Sequence, residues 1–412
     1  MSDRPENIQE EHWKPLGKIS DIEMGQSPPS NYVFEGLDEG LPFLQGNAEF
    51  GVMSPHPKYS CALPAKIGKA GSLLISVRAP VGAVNIADQD YCIGRGLAAI
   101  FPKRYPASFV AAAVSKRSPE LARVSQGTTF DAIGKRELHS VCVYAPDQST
   151  ASKIAEILDT LDAAIRETEA VVAKLKAMKQ GLLHDLLTRG IDANGDLRPS
   201  QSEAPHLYKQ TPLGWLPKEW DALKIEDVGE VMTGKTPPAQ DPSAWGDHTA
   251  FITPGDITHS IAIEQSERHL SMRGRKYVPI APAGATLVVC IGSTIGKVGY
   301  IRKESGFNQQ INAVASSSNH ESEFVFLSIC KSIHQLHRLA GLQAVPIVNK
   351  GEFQKIRIPV APKPEESEIV ARLSQLEKKE AAEVNELHKL CAMKSGLMDD
   401  LLTGRTSVTP LL

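Results

Sequence analysis

The sequence predicts an α+β protein with a pseudo-twofold internal repeat, in which two similar domains of mixed helices and strands are joined by two long antiparallel helices. Three observations predict this fold class. Short motifs recur in the same order in both halves, strand-length apolar runs occur in each half, and each half ends in a long heptad pattern. A stacked solenoid needs at least three units, so two copies of roughly 200 residues indicate a pair of related domains.

The clearest recurrence lies at the end of each half. Residues 176–188 have the sequence KAMKQGLLHDLLT, and residues 391–403, 215 positions later, have the sequence CAMKSGLMDDLLT. Four upstream matches are Trp13 and Leu16 with Trp220 and Leu223, 25–29 (GQSPP) with 234–238 (GKTPP), 71–74 with 284–287, and 154–158 with 369–373. The offset drifts from 207 to 215, so the halves differ by small insertions.

Short apolar runs bounded by glycine and proline predict buried strands in both halves. These runs are 72–77, 97–101 and 141–144 in the first half, and 286–291 and 356–360 in the second. Helical patches at 109–116 and 323–339 lie between the predicted strands, and this mixture favours the α+β class.

A heptad pattern predicts a long helix at the end of each half. Its inward positions are 154, 158, 161, 165, 168, 172, 175, 179, 182 and 186, and the same ten positions plus 215. Both helices follow a proline-bearing stretch, have acids in the first turn and end at Gly190 and Gly404. Residues 154–188 would span roughly 50 Å. The simplest arrangement is an antiparallel coiled coil with a domain at each end; two separate amphipathic helices are the alternative.

These patterns predict six segments. They are a first domain (1–146), a first helix (147–190), a linker rich in proline, serine and aspartate (191–212), a second domain (213–362), a second helix (363–405) and a short tail (406–412).

Composition places the chain among soluble globular proteins, with 42% hydrophobic and 23% charged residues. No apolar run approaches the 18 or so residues of a membrane helix, and the polar, acidic start is unlike a secretory signal. The six cysteines form no C-x-x-C pair. We therefore expect a cytoplasmic protein with reduced cysteines and no metal site.

The net charge of −3 conceals an uneven distribution of charge. Residues 58–146 contain 12 Lys/Arg and 5 Asp/Glu, and residues 268–360 contain 12 and 4. Residues 1–57 contain 3 basic and 10 acidic side chains, and 363–405 contain 7 and 9. Affinity for a polyanion depends on local charge, so the later part of each domain is a candidate phosphate-facing surface. A solvated basic face is the alternative interpretation.

One motif resembles a nucleotide-binding loop. Residues 229–236 (GEVMTGKT) match the P-loop pattern G-x-x-x-x-G-K-T. A P-loop leads into a helix whose first amides hold phosphate, but Pro237 and Pro238 follow here and disfavour a helical turn. We expect Lys235 and Thr236 to be loop donors instead. The sequence also lacks the N/D-P-P-Y/F, G-x-S-x-G and H-E-x-x-H motifs of methyltransferases, hydrolases and zinc proteases.

An ordered set of motifs resembles the specificity subunits of type I restriction-modification systems. Residues 180–192, 197–198 and 211–220 resemble the central region of that family, and residues 234–238, 251–256, 292–297 and 308–310 resemble its second target-recognition domain. The first domain departs more: SVRAPVG (76–82) stands where the second has CIGSTIG (290–296), and Gly94-Arg95 where the second has Gln309-Gln310.

The resemblance implies a non-catalytic subunit, active in phage defence, that binds double-stranded DNA at a two-part site. It implies two attached methyltransferase subunits, restriction/translocase subunits joining the complex, and S-adenosylmethionine, ATP and Mg on those partners, with no cofactor bound by this chain. Loop donors at positions matched by the repeat are the candidate DNA-binding residues. They are Arg78, Arg95, Thr128, Lys235, Thr236, Ser293, Thr294, Lys297, Gln309 and Gln310.

Two other functions remain open on the sequence. One is a coiled-coil scaffold with no nucleic-acid role, which predicts no salt-dependent DNA binding. The other is an ATP-binding enzyme that uses the 229–236 loop, which predicts ATP binding that depends on Lys235.

Overall fold

The structure is a computed structural model that describes residues 12–52, 54–125, 132–258, 262–263, 265–341 and 345–411. The chain divides into two compact units. Unit 1 comprises Met1–Val171 and Glu383–Leu412, and unit 2 comprises Val172–Ala382. Each of the two long helices therefore begins in one unit and ends in the other.

Unit 1 combines two main sheets with helices. Its strands are β1 (Trp13–Pro15), β2 (Ser20–Met24), β3 (Val33–Glu35), β4 (Leu41–Leu44), β5 (Tyr59–Cys61), β6 (Ile67–Gly68), β7 (Leu73–Ser76), β8 (Val84–Ile86), β9 (Tyr91–Ile93), β10 (Leu97–Pro102) and β11 (Cys142–Tyr144). Its helices are α1 (Leu16–Ile19), α2 (Ala107–Lys116), α3 (Ser118–Ser125), α4 (Lys135–Ser140) and the first part of α5 (Gln148–Leu186).

Among the described residues, unit 2 contains counterparts of most of these elements, although not of β3, and one additional hairpin. Its strands are β12 (Tyr208–Thr211), β13 (Gly214–Pro217), β14 (Asp221–Lys224), β15 (Gly229–Thr233), β16 (Trp245–Ile252), β17 (Arg268–Leu270), β18 (Ile280–Ala281), β19 (Thr286–Val289), β20 (Val298–Tyr300), β21 (Ser305–Phe307), β22 (Ile311–Ser316) and β23 (Arg357–Val360). Its helices are α6 (Ile225–Val228), α7 (Ser322–Ser332), α8 (His334–Ala340), α9 (Lys350–Phe353) and the first part of α10 (Lys363–Leu401).

The four-stranded sheet has the same strand order in the two units. The order β2-β10-β7-β8 in unit 1 matches β15-β22-β19-β20 in unit 2, and all of these neighbours are antiparallel. The second sheet contains one parallel pair in each unit, β4 with β9 and β16 with β21. The α+β class and the internal repeat are therefore confirmed.

The four-stranded sheet of each unit lies between two apolar layers. In unit 1, Leu73 and Ile75 pack into the cluster that includes helix α2, whereas Leu74 points to the cluster shared with the second sheet. In unit 2, Val288 packs into the cluster that includes helix α7, whereas Leu287 points to the cluster shared with the second sheet. Side chains alternate across a strand, so a strand buried on both faces appears in sequence as a continuous apolar run. This explains why β7, β10 and β19 were found among the five predicted strands; β11 and β23, which were also predicted, lie in separate two-stranded sheets.

Two helix predictions need correction. Helix α5 has no acid in its first turn, whereas α10 has Glu365 and Glu366 there. The acid of α5 stands one residue earlier, where Asp147 accepts the backbone N–H groups of Ser149 and Thr150, both at 3.0 Å. Hydrogen bonds from the Ser149 hydroxyl, the Thr150 backbone N–H and the Thr150 hydroxyl hold the pKa of the Asp147 carboxyl well below its usual range. The predicted patch 323–339 is two helices, α7 and α8.

The predicted inward positions of the long helices are all buried or partly buried. The two lysines among them pair with acidic side chains of the other long helix. Lys179 lies 3.0 Å from Glu377 and 3.4 Å from Glu380 within unit 2, and Lys394 pairs with Asp162 within unit 1. Burial alone would lower the pKa of Lys179, but the two glutamates raise it above its ordinary value. The two bridges occupy repeat-equivalent positions, 215 apart, so the lysine of each heptad pattern pairs with an acid of the opposite helix.

The main-chain hydrogen bonds also correct one repeat match. Leu16 N donates to Val141 O at 2.8 Å, and Ile225 N donates to Ile356 O at 3.0 Å. Leu16 therefore corresponds to Ile225 rather than to Leu223. The sequence match of Trp13 with Trp220 is wrong for the same reason. Trp220 and Leu223 lie two positions before the true counterparts, and their identity with Trp13 and Leu16 made the wrong alignment look better.

The segment interpreted as a linker is built into unit 2. It contains strand β12, which pairs with β13 beyond the predicted linker, and the side chain of Tyr208 is buried. The Arg198 guanidinium, only 10% exposed, forms a two-pronged ion pair with Glu365 at 2.6 and 3.0 Å. Among the described residues, no helix is long and apolar enough to cross a membrane.

All six cysteines have free thiols. Burial raises the pKa of Cys92, Cys290 and Cys330 to about 12 each. These thiols are neutral at physiological pH and therefore poor nucleophiles.

Candidate nucleic-acid interface

The candidate residues of unit 1 lie in loops at one end of its four-stranded sheet. The loop after β2 is tied to the turn between β9 and β10 by two backbone hydrogen bonds. Gly25 N donates to Leu97 O at 2.8 Å, and Gln26 N donates to Ile93 O at 2.9 Å. These bonds place the exposed Ser27 beside the exposed Arg95.

Unit 2 repeats this connection at the equivalent positions. Gly234 N donates to Ile311 O at 3.0 Å, and Lys235 N donates to Phe307 O at 3.0 Å. The loop after β15 is thereby tied to the turn between β21 and β22. The backbone of the two loop pairs is the same, although most of their side chains differ.

This correspondence corrects the register that the sequence suggested for the turn. The sequence match paired Gly94 and Arg95 with Gln309 and Gln310. The equivalent hydrogen bonds instead show that Arg95 corresponds to Gln309 and that Gly96 corresponds to Gln310. The turn holds an arginine in one unit and a glutamine in the other at a single equivalent position.

A hydroxyl side chain contacts that position in both units. In unit 1, Ser27 Oγ accepts hydrogen bonds from the backbone N and the side-chain Nε of Arg95, both at 3.4 Å. In unit 2, Thr236 Oγ1 donates to Gln309 Oε1 at 2.6 Å. Ser27 and Thr236 are equivalent in the two loops. Sequence reasoning selected Thr236 but missed Ser27, although the GQSPP and GKTPP match was the available signal.

Arg78 and Arg95 line one open cleft in unit 1, with a volume of about 640 Å³. Gln45, Asn47 and Tyr59 also line it and were not predicted. Donor side chains and an aromatic ring around an open cleft form a surface suited to contacting nucleic acid. The cleft also includes Glu35 and Glu49. Thr128 lies outside the described residues.

Gln310 and Lys297 are engaged with the protein itself. The Gln310 amide accepts from Asn308 Nδ2 at 3.1 Å and donates to Ile291 O at 3.4 Å. Lys297 Nζ donates to Pro254 O at 3.2 Å. Both side chains are partly buried, and their polar groups support the loops that surround the turn.

Ser293 and Thr294 occupy the loop between β19 and β20. Ser293 is exposed and Thr294 is partly buried. The loop is flanked by Gly292 (φ +97°) and Gly296 (φ +89°), a left-handed backbone region that favours glycine. Loop 290–296 and the turn at 308–310 are adjacent, because Cys290 N donates to Gln310 O at 2.8 Å.

The P-loop resemblance of residues 229–236 does not extend to the structure. Residues 229–233 form strand β15, and Lys235 and Thr236 are exposed in the loop that follows. No helix begins at Thr236; the next described element is a single 3-10 turn at Pro242–Ala244. The helix N-terminus that holds phosphate in a P-loop is therefore missing from this described part of the chain.

An exposed arginine, Arg268, lies on the second sheet of unit 2. The guanidinium of Arg268 lies 3.5 Å from the ring centroid of Trp245, and Trp245 packs edge-on against Phe251. This stacking fixes an exposed arginine on the unit. The spacing of the two residues in sequence gave no signal for it.

A family model described as the type I restriction modification DNA specificity domain matches this chain twice. The matched residues are 11–177 and 217–390. Together these ranges cover most of the chain, and each includes one set of interface loops.

Curated relatives are specificity subunits. The putative type I restriction enzyme MjaX specificity subunit of Methanocaldococcus jannaschii is 40% identical over 174 residues, which is 42% of this chain and 40% of the relative. The type I restriction enzyme HindI specificity subunit of Haemophilus influenzae is 26% identical over 286 residues, 57% of this chain and 62% of the relative. The alignments thus span about two fifths to three fifths of these relatives' lengths.

Solved structures share the fold over nearly the whole chain. The type I restriction-modification S subunit from M. genitalium superposes with a TM-score of 0.61, 12% identity and 97% of both chains covered. A structure on complex assembly and conformational transition of the type I R-M system gives a TM-score of 0.55, 15% identity, and coverage of 98% of this chain and 99% of that chain. At these identities the likeness establishes the fold alone.

Proposed function

The chain belongs to the type I restriction-modification DNA specificity family, and we propose that it recognises a two-part DNA site with one recognition domain for each half-site. It is a specificity subunit, the non-catalytic component of such a system. The finer proposal rests on one observation. Two units with the same sheet order present the same loops with different exposed side chains, such as Arg95 and Gln309.

A backbone frame that the two units share, with different side chains on it, suits two domains that bind different base sequences. Phosphate contacts fix the position of a protein on DNA, whereas contacts to base edges specify sequence. We propose that Arg78, Arg95, Lys235, Thr236 and Gln309 contact DNA, since the structure places them in exposed loops or a cleft. Ser293 and Thr294 lie on the loop between β19 and β20, which is adjacent to the turn that contains Gln309. Lys297 and Gln310 support those loops from within the protein.

A charge-removal experiment tests the DNA-binding role. Lys235 is an exposed point charge, which suits a phosphate contact. In the complex with methyltransferase subunits, Lys235→Ala should weaken binding equally on all duplexes and reduce the slope of log K against log salt by about 1. Lys209→Ala, which removes an exposed lysine paired with Asp221, should leave the slope unchanged.

The two other candidate functions predict different results in the same experiment. A scaffold without a nucleic-acid role predicts no salt-dependent DNA binding by the complex. An ATP-binding enzyme built on residues 229–236 predicts ATP binding that Lys235→Ala abolishes. We expect ATP binding to be undetectable both in the wild-type chain and in Lys235→Ala.

We further propose that two methyltransferase subunits attach to the long helices, and that restriction/translocase subunits join through the complex. The repeat supplies two equivalent exposed sites: Met178 and Met393, 215 positions apart, are each 52% exposed on α5 and α10. Exposed methionine is adaptable and favours protein contacts. S-adenosylmethionine, ATP and Mg would then be bound by the partner subunits.

The partner proposal predicts that the purified chain alone has no turnover. With S-adenosylmethionine, ATP, Mg and DNA supplied, it should neither methylate nor cleave. Addition of the methyltransferase subunit should restore adenine methylation, measured by transfer of a labelled methyl group. Methylation by the chain alone, with contaminating subunits excluded by mass spectrometry, would contradict the proposal.

A further inference from the structure

We propose that the equivalent residues Arg95 and Gln309 are the base-specifying side chains of the two domains, each positioned by a hydroxyl residue of the neighbouring loop. Arg95, positioned by Ser27, selects a guanine in one half-site. Gln309, positioned by Thr236, selects an adenine in the other. This inference rests on the proposed DNA-recognition function and specifies the base that each domain contacts.

The hydrogen bonds of Arg95 leave its terminal edge exposed. Ser27 Oγ accepts from the backbone N and from Nε, so one side of the guanidinium is directed toward the protein. Among the residues that the structure describes, the two terminal nitrogens of Arg95 have no hydrogen-bond partner. These two donors form a fork, and the O6 and N7 acceptors of guanine in the major groove match such a fork.

The Gln309 amide is oriented by the opposite kind of contact. Thr236 Oγ1 donates to Gln309 Oε1 at 2.6 Å, which fixes the amide oxygen toward the loop and directs Nε2 away from it. The oxygen retains a second lone pair. Gln309 therefore presents one donor and one acceptor side by side. Adenine displays the complementary pair, the N7 acceptor and the N6 amino donor.

At the neighbouring positions that the structure describes, no side chain is exposed, polar and hydrogen-bonded to a hydroxyl of the adjacent loop in both units. Gln310 is held at both ends of its amide, and its equivalent is Gly96. Arg78 also lines the cleft. Arg78 forms an isolated β-bridge with Ala132, and Ile291 forms the equivalent bridge with Ile347, so the counterpart of Arg78 in unit 2 is the apolar Ile291. A specifying position in two related domains should be polar in both, and positions 95 and 309 satisfy this requirement.

The test uses the assembled complex with methyltransferase subunits and duplexes that carry the methylated motif or one base-pair change. Wild type should prefer guanine at one position of one half-site by roughly 5- to 150-fold. Arg95→Gln should abolish that preference and leave every other position unchanged. Arg104→Gln is the matched control, because Arg104 is exposed near the other end of β10, roughly 20 Å away.

The second domain gives the reciprocal experiment. Gln309→Arg should replace an adenine preference by a guanine preference at one position of the other half-site. Asn319→Arg places the same side chain on an exposed residue beyond the far end of β22 and should leave the motif unchanged. Both replaced residues are exposed, so folding should be preserved; circular dichroism checks this.

The positioning role of the hydroxyl has its own readout. Ser27→Ala should reduce discrimination at the guanine position several-fold, and Ser27→Thr should restore it, because only the hydroxyl orients the guanidinium. A merely structural role would weaken binding to all duplexes alike. Discrimination that Ser27→Ala leaves unchanged would overturn this part of the inference.

Three outcomes separate the inference from the proposed function. If the Arg95→Gln complex binds all duplexes equally weakly, Arg95 contacts a phosphate, and the base assignment is overturned. An unchanged motif would overturn it as well. In both cases wild type still binds a two-part site, and the proposed function stands. If the wild-type complex shows no sequence preference, the proposed function itself fails, and the inference with it.

Discussion

Replacing Glu365 by alanine is expected to lower the free energy of unfolding of unit 2 by about 3–5 kcal/mol. The Glu365 carboxylate lies in the first turn of α10 and is only 10% exposed. It accepts two hydrogen bonds from Arg198 and one from the backbone N of Ile191 at 2.8 Å. It thus ties the segment between the two recognition domains to the start of the second long helix.

The size of the expected effect follows from what the substitution leaves behind. Arg198 would remain buried with a carbonyl contact to Arg189 at 3.2 Å and the mostly exposed Glu219 at 3.7 Å. The Ile191 N–H would also lose its partner. An uncompensated buried charge costs more than the intact pair contributes, which is why removing one partner is so destabilising.

Urea unfolding followed by tryptophan fluorescence measures this effect, since Trp220 is fully buried in the same apolar cluster as Ile191. With a urea m-value of about 1–3 kcal/mol/M, the midpoint should fall by about 1 M or more. Glu368→Ala is the control: this glutamate is 50% exposed, pairs with Arg372 at 2.8 Å, and should cost less than about 1 kcal/mol. Equal midpoints for the two variants would refute the role of the ion pair.

The features that the sequence could predict are local or periodic. A strand buried on both faces, such as β7 or β19, is a continuous apolar run, and a long helix with one buried stripe shows a heptad pattern. Duplication made both signals stronger, because each half supports the interpretation of the other. The sequence predicted the helix ends for a local reason. Helix α5 ends at Leu186 and α10 at Leu401, a few residues before the predicted Gly190 and Gly404, and both glycines have positive φ, +61° and +74°.

The features that the sequence could not predict depend on contacts between distant residues. The contact of Ser27 with Arg95 joins residues 68 positions apart, and that of Arg198 with Glu365 joins residues 167 apart. No periodicity encodes such pairs. The segment containing Arg198 was interpreted as a linker because it is rich in proline, serine and aspartate, yet long-range hydrogen bonds hold it in place. The one-residue error at Arg95 has the same origin, because only the backbone hydrogen bonds fix the register of a turn.

Inserting four residues into each long helix is expected to lengthen the gap between the two half-sites by one or two base pairs. The insertions are placed between Ala173 and Lys174 and between Leu387 and His388. The reason is our proposal that α5 and α10, each of which begins in one unit and ends in the other, set the separation of the two recognition domains.

Helix geometry gives the size of the change. Four residues add roughly 6 Å of helix and about 40° of rotation. DNA advances about 3.4 Å and turns about 36° per base pair. The added rotation corresponds to about one base pair and the added length to nearly two. A four-residue insertion is also one that a coiled coil accommodates by local unwinding.

The structure indicates that these insertions spare the cross-helix ion pairs. Asp162 and Lys394 both lie on the unit 1 side of the insertion points, and Lys179 and Glu377 both lie on the unit 2 side. Each bridge therefore keeps its register when both helices are extended. Seven-residue insertions at the same points are the control. They add roughly 10 Å, about three base pairs, with far too little rotation, so that variant should be largely inactive.

Sequencing of methylated sites, in cells that express each form of this chain with its methyltransferase subunit, is the most direct test of two domains recognising two half-sites at a set separation. Wild type should give a motif of two specified parts around an unspecified gap of constant length. The four-residue variant should give the same two parts with the gap longer by one or two base pairs. An uninterrupted wild-type motif, or an active four-residue variant with the original gap, would contradict the account.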